Sequence, residues 1–206
     1  MDVRNRKICQ KESEMKIHIN GEEITIQNLH DLEEIMGNIK REYIHNNIPD
    51  LSGIKMLLTD CDGCLTDGGM YYAETGDELK KFNTRDGMGF KLLREAGILT
   101  GIVTGEKVEL NRRRVNKLKL DVLEEGCTDK MENLASICKR FDVTPEEIVY
   151  ICDDVNDIDV IKAVKFGCCP ADAAFAVKEA ADYITGALGG RGVIREVAEL
   201  ILSYQK

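Results

Sequence analysis

At 206 residues the chain can bury one sizeable core, and its length suggests one domain or one domain with an extension. Its formal net charge is −9, from 37 Asp and Glu against 28 Lys and Arg, and this opposes both a nucleic-acid surface and a basic membrane-binding face. No run reaches the ~18 consecutive apolar residues of a membrane span, and MDVRNRKICQKESEMK has no apolar signal-peptide centre; both predict a cytoplasmic protein whose eight cysteines stay reduced.

Residues 1–14 are charged and aperiodic, which predicts a mobile tail. KIHIN, GEE and ITIQ then alternate with period two around a glycine and predict a short hairpin. Asn28, Leu29, Leu32, Ile35, Met36 and Ile39 suggest a capped amphipathic helix running towards Tyr43. Residues 15–50 therefore form an appendage that buries little by itself, with docking or an oligomer contact as its expected role.

Residues 51–206 read as the main domain. Expected strands cover 55–60, 98–104, 121–124, 148–153 and 165–169, and helices cover 87–96, 107–117, 130–141, 156–163, 173–181 and 193–202. Met56, Leu57 and Leu58 lack polar alternation, as a strand covered on both faces requires. The alternation implies an α/β fold, a doubly wound parallel sheet with ligands bound beyond the carboxyl ends of its strands. The connection after the first of these strands is far longer than the usual ~2–6 residues. Within it MYYAE and ELKKF, separated by TGD, predict a projecting hairpin with exposed Tyr71, Tyr72 and Phe82.

Polar signals fall where those strands end: Asp60 and Asp62, Thr104, Lys130 at the start of a helix, and CDDVND at 152–157. Acids at 60, 62, 153, 154 and 157 supply the hard oxygen ligands that Mg²⁺ prefers, while Thr104 and Lys130 suit a phosphoryl group during transfer. Each has a plainer alternative. Asp154 and Asp157 fit helix caps or turns, Thr104 a backbone-bonded strand end, and Lys130 a solvated lysine. For Asp60 and Asp62 the plain alternative is poor, because two acids ending a buried strand repel each other without a cation. Cys61 and Cys64 form a C-x-x-C spacing, but no second pair exists, and His18, His30 and His45 lie far upstream without matching spacing. Small residues in a tight loop explain them.

The ordered series D-x-D-G, T-G, K and D-D-x-x-D resembles the haloacid dehalogenase phosphohydrolase superfamily over about residues 54–204. Within it DGCLTDG, the hairpin running into KKFNTRDGMG, and GGRGVIREV are similar to the small-cap 3-deoxy-D-manno-octulosonate 8-phosphate phosphatases. The resemblance implies a Rossmann-like core with the hairpin in place of a cap domain, Mg²⁺ as cofactor, and a role in lipopolysaccharide biosynthesis. It also implies a homotetramer in which a neighbour completes each active site. Asp60 would be the nucleophile and Asp62 the acid/base. The metal would be held by Asp60, Asp153 and the backbone carbonyl of Asp62, with Asp154 and Asp157 orienting its shell. Thr104 and Lys130 would hold phosphoryl oxygens, and Lys130 would keep Asp60 ionised.

Substrate choice needs further residues. Arg85, Arg191 and Arg195 are candidates for gripping a sugar-acid carboxylate, with Lys80 and Lys81 behind them. Arg195 also has an i,i+4 partner in Glu199. Two departures stand out. Cys152 replaces a glycine usual in the family, strained only if its φ is positive, and Ala174-Phe175 stand where relatives carry His-Pro. A nonulosonate 9-phosphate phosphatase is the nearest alternative function, and a non-catalytic scaffold that kept the fold is one from another class. A phosphomutase would need a larger cap to keep out water.

Overall fold

A computed structural model of the chain describes residues 15–19, 22–26, 28, 30–33, 35–36, 48–75 and 78–205. It divides into two units, Met1–Ile48 and Pro49–Lys206. In the first, β1 (Met15–Ile19) and β2 (Glu22–Ile26) pair antiparallel with Ile17 opposite Ile24, the hairpin expected from period-two alternation. The Asn28 side chain accepts from the Asp31 N–H at 3.0 Å and starts a helical segment seen at residues 30–33 and 35–36. The expected tail over 1–14, Leu29, and the continuation of the helix through Ile39 to Tyr43 lie outside the described residues.

The second unit is built on a six-stranded parallel sheet. After β3 (Met56–Thr59), a short hairpin pairs β4 (Tyr71–Tyr72) antiparallel with β5 (Glu78–Leu79). Strand and helix then alternate: α1 (Thr84–Glu95), β6 (Leu99–Thr104), α2 (Glu109–Leu118), β7 (Val122–Glu125), α3 (Lys130–Phe141) and β8 (Ile148–Ile151). The chain closes with α4 (Ile158–Ala163), β9 (Phe166–Cys169), α5 (Phe175–Ala180), β10 (Tyr183–Ile184) and α6 (Val193–Tyr204). The order across the sheet is β10-β9-β8-β3-β6-β7, so β3 is central and the connections leave to opposite sides of it. Its four residues and the four of β8 are all buried, which is why both read as unbroken apolar runs. The carboxyl ends of β3, β6 and β8 therefore meet at the switch point where ligands bind in such sheets.

Three details depart from the sequence reading. α1 begins at Thr84 rather than 87, because Asn83 caps it by accepting from the Arg85 N–H at 2.9 Å. β10 was not expected, since two residues are too few to show a period. Phe82 is half-buried rather than exposed, with the Arg114 guanidinium 4.9 Å above its ring, whereas Tyr71, Tyr72 and Leu79 do stand exposed.

Close packing fixes the strands at Gly101 of β6. A Cβ there would lie 2.4 Å from Val122 Cβ and 2.9 Å from Leu58 Cδ2, so neighbours on two strands leave room only for hydrogen. Gly101→Ala is expected to lower stability by about 1–3 kcal/mol, read as a shift of the urea midpoint without change of slope.

Candidate active site

Four loops at the carboxyl ends of β3, β6, β7 and β8 bring the expected residues together. Asp60 leaves β3 with its N–H bonded to the Ile151 carbonyl of β8 at 2.8 Å, and its Oδ1 accepts from the Cys61 N–H at 2.7 Å. The chain turns at once through Gly63, whose φ of +80° suits glycine, with Leu65 and Thr66 both donating back to the Cys61 carbonyl. A Cβ on Gly63 would stand 1.9 Å from Asp153 Oδ2, so the absent side chain lets the first loop and the loop after β8 interlock. Thr104 ends β6 almost fully buried, and its hydroxyl oxygen accepts from the Glu106 N–H at 3.2 Å.

Lys130 opens α3 just after Asp129, which caps the helix by accepting from the Met131 and Glu132 N–H groups. Its buried ammonium lies 3.1 Å from Asp60 Oδ1 and 2.6 Å from Asp157 Oδ2. Asp157 also accepts from the Tyr150 hydroxyl at 3.3 Å and from the Asn156 amide at 3.0 Å. In this arrangement Asp157 holds Lys130, a contact that the sequence reading does not include. Asp154 is exposed and bonds the Val155 N–H at 2.7 Å, capping the 3₁₀ turn Val155–Asp157 as its plainer alternative had it.

Burial dominates the electrostatics. It raises the Asp60 carboxyl above its ordinary value, while Lys130 and the Cys61 N–H pull it down. Burial, then the charges of Asp60 and Asp154, push Asp153 up to about 7. Asp157 rises to about 6, from burial first, against the pull of Lys130. The Asp153 carboxylate meets the Cys64 thiol at 3.8 Å and its own backbone N–H. Such a desolvated, mutually repelling pair as Asp60 and Asp153 fits a hard divalent cation, which would relieve both costs. Among the described residues no three His, Cys, Asp or Glu side chains form a complete metal cage.

Asp62 is held from both sides. Thr66 Oγ1 lies 3.3 Å from its Oδ1, and Lys80 Nζ lies 2.7 Å from its Oδ2. Lys80 also reaches Glu106 Oε2 at 2.6 Å, and its side chain is wholly buried. It is thus no free carboxylate grip, and neither its pairing nor Glu106 was anticipated from sequence. Lys81, by contrast, is exposed beside Asp67 at 3.1 Å.

Of the three arginines, Arg85 and Arg191 are exposed, and Arg195 is tied to Glu199 at 2.6 Å. The GGRG segment is nonetheless locked to the first loop: Gly190 N–H donates to the Cys64 carbonyl at 2.9 Å, and a Cβ on Gly189 would sit 2.1 Å from the Gly63 carbonyl oxygen. Asp86, fully buried next to Arg85, accepts from the Arg195 N–H at 3.2 Å and from Ile194 and Gly192, capping α6 across space because Gly192 has no side chain to do so. The departures prove mild. Cys152 is buried without positive φ, so the thiol is accommodated, and the Ala174 N–H donates to the Asp153 carbonyl at 2.8 Å while Phe175 projects into solvent. Cys61 and Cys64 are buried free thiols, and burial raises both well above the usual thiol range.

Comparison with known proteins agrees with this geometry. Residues 114–197 match the haloacid dehalogenase-like hydrolases. The chain is 36% identical over 155 residues, 75% of its length and 86% of the relative's, to the 3-deoxy-D-manno-octulosonate 8-phosphate phosphatase KdsC of Haemophilus influenzae. It is 35% identical over 158 residues to that of Escherichia coli, covering 77% of this chain and 84% of the relative. The solved 3-deoxy-D-manno-octulosonate 8-phosphate phosphatase of Yersinia pestis superposes with a TM-score of 0.75 at 30% identity, covering 94% of both chains. That of Moraxella catarrhalis, in complex with a magnesium ion, a phosphate ion and a KDO molecule, gives a TM-score of 0.75 at 32% identity, covering 80% of this chain and 92% of that one. With its sheet order, its strand-end acids and these relatives in agreement, the chain belongs to the haloacid dehalogenase-like hydrolases and, within them, is similar to the octulosonate 8-phosphate phosphatases.

Proposed function

We propose that the protein is a Mg²⁺-dependent phosphatase of a phosphorylated deoxy-keto sugar acid, of the octulosonate 8-phosphate type, working through an aspartyl-phosphate. The observation that carries this reading is the buried contact of Lys130 with Asp60 at the end of the central strand, in a chain over a third identical to such phosphatases. Bound Mg²⁺, held by Asp60, Asp153 and the Asp62 carbonyl, would offset phosphoryl charge.

The chain's own groups do the rest. Asp60 attacks phosphorus while the bond to the sugar oxygen breaks, and Asp62 gives that oxygen its proton. Asp62, now a carboxylate, then takes a proton from the water that attacks the phosphorus and frees Asp60. Lys130 and Thr104 hold phosphoryl oxygens, and Asp157 holds Lys130 through the 2.6 Å contact. Arg85 and Arg191 are assigned to the sugar-acid carboxylate; Arg195, already paired with Glu199, is the weakest of the three for that task. The exposed Tyr71, Tyr72 and Leu79 support a homotetramer in which a neighbouring hairpin completes each site. The acidic balance and the thiols, free at all seven described cysteines, support a cytoplasmic setting. Among the described residues no helix is long and apolar enough to cross a membrane.

Two outcomes test the reading. Phosphate release is expected from octulosonate 8-phosphate with Mg²⁺, and faster than from a nonulosonate 9-phosphate; the reverse ranking would move the assignment to the longer sugar acid. The second concerns pH. Because the folded Asp153 carboxyl titrates at about 7, above its ordinary 3.8, the folded form holds a proton that the unfolded form lacks between those values. That contribution is present at low pH and is lost as pH rises through 7. Mg²⁺ should therefore raise the melting temperature more at about pH 8 than at about pH 5, where protons compete for the carboxylates. Equal shifts at both values would contradict it.

A further inference from the structure

Lys80 lies outside every element of the acid, threonine and lysine series, directly after β5 of the projecting hairpin. Its stem and ammonium are nonetheless wholly buried, and its nitrogen joins Asp62 of the loop after β3 to Glu106 of the loop after β6, at 2.7 and 2.6 Å. A buried ammonium persists only where carboxylates surround it, and here two do, from different loops. A compact point charge with several donors suits this bridge better than a planar guanidinium. With Thr66 on its other oxygen, the Asp62 carboxyl is fixed at both ends.

We infer that Lys80 is a positioning residue: the hairpin, through this ammonium, aims Asp62 at the leaving oxygen, and Glu106 anchors the ammonium. The inference rests on the assignment of Asp62 as acid/base above. Lys80 itself gives up no proton. Asp62 transfers its proton to the departing oxygen as the phosphorus–oxygen bond breaks, and Lys80 only sets the direction of that transfer. A productive proton transfer needs hydrogen-bond geometry at both ends, so a carboxyl free to rotate loses much of its advantage. The same contact makes the acid/base depend on where the hairpin sits, so that a change in hairpin docking reaches the chemistry through one side chain.

Leaving groups separate this from a merely structural role. A sugar or simple alkyl oxygen departs only if protonated, whereas p-nitrophenolate departs without help. The comparison uses kcat/KM, which reports the steps through leaving-group departure and excludes hydrolysis of the phosphorylated enzyme. Lys80→Met in the full-length protein with Mg²⁺ should lower kcat/KM for an alkyl phosphate about a hundredfold, and for p-nitrophenyl phosphate less than about tenfold. Most of the loss should fall on kcat rather than KM. In Lys80→Ala, added methylamine should restore alkyl-phosphate turnover. Equal losses on both substrates, a loss confined to KM as for a substrate-carboxylate ligand, or failure of methylamine to restore turnover in a folded variant would each overturn the inference. Asp62→Asn separates its failure from that of the underlying assignment: it should show the same leaving-group pattern. If Asp62→Asn lacks the pattern the acid/base assignment is wrong, and if it alone shows the pattern Lys80 is not the positioning residue. Any alkyl phosphate the parent hydrolyses serves, so the choice of sugar acid does not enter.

Discussion

An ammonium sits buried between two carboxylates, Lys130 between Asp60 and Asp157, and the strand ends around it are arranged by what that cluster needs. Three parts of the chain supply it: the end of β3, the first residue of α3 and the turn after β8. Removing one partner of such a buried set typically costs about 3–5 kcal/mol, because the remaining charge is stranded in a dry interior. Geometry answers the cost. The sheet order puts β3 beside both β6 and β8, so the loops that carry the charges converge, and Tyr150 and Asn156 supply the hydrogen bonds that Asp157 still lacks. Burial nevertheless outweighs the lysine at Asp60, and at Asp153 burial and the neighbouring carboxylates act together, so the site as built leaves its acids with more desolvation than one ammonium relieves. This is the physical case for a divalent cation.

Around this centre the chain uses backbone contact where side chains would be in the way. Gly63 admits the Asp153 carboxylate, and Gly189 and Gly190 let the segment before α6 lie directly on the loop after β3. Asp86 then caps α6 from α1. The exposed Arg85 and Arg191 are therefore carried on segments rigidly tied to the catalytic loop, although neither touches the acids. The buried charge cluster and the exposed arginines thus occupy different levels of the same set of loops.

Much of this was legible in the sequence, for identifiable reasons. The run Met56–Leu58 ending at two acids marks a fully covered strand with no other destination for its charges, and the i,i+4 spacing of Arg195 and Glu199 gave their ion pair. The start of α1 was misplaced because Gly87 and Gly89, needed for close approach to Leu118 and α6, dilute the helical signal that Asn83 begins. The sequence offers Lys80 and Lys81 alike as minor candidates for the sugar-acid carboxylate. Nothing local distinguishes the two, and only the docking of the hairpin onto two loops far apart in sequence buries one lysine and leaves the other in solvent. For Asp157 the spacing tells that an acid is near the site, but not that it pairs with Lys130. The fate of Cys152 depended on a backbone angle that residue type does not reveal.

The central claim is that Asp60 carries the phosphoryl group between the two halves of the reaction. Acid quenching during turnover, followed by peptide mass spectrometry, tests it most directly. The account predicts a phosphoryl group on the peptide containing Asp60 and located at that residue, appearing with substrate and decaying when substrate is exhausted. A phosphoryl group lodged on a different residue, or turnover that proceeds with no phosphorylated peptide in the burst phase, would contradict it.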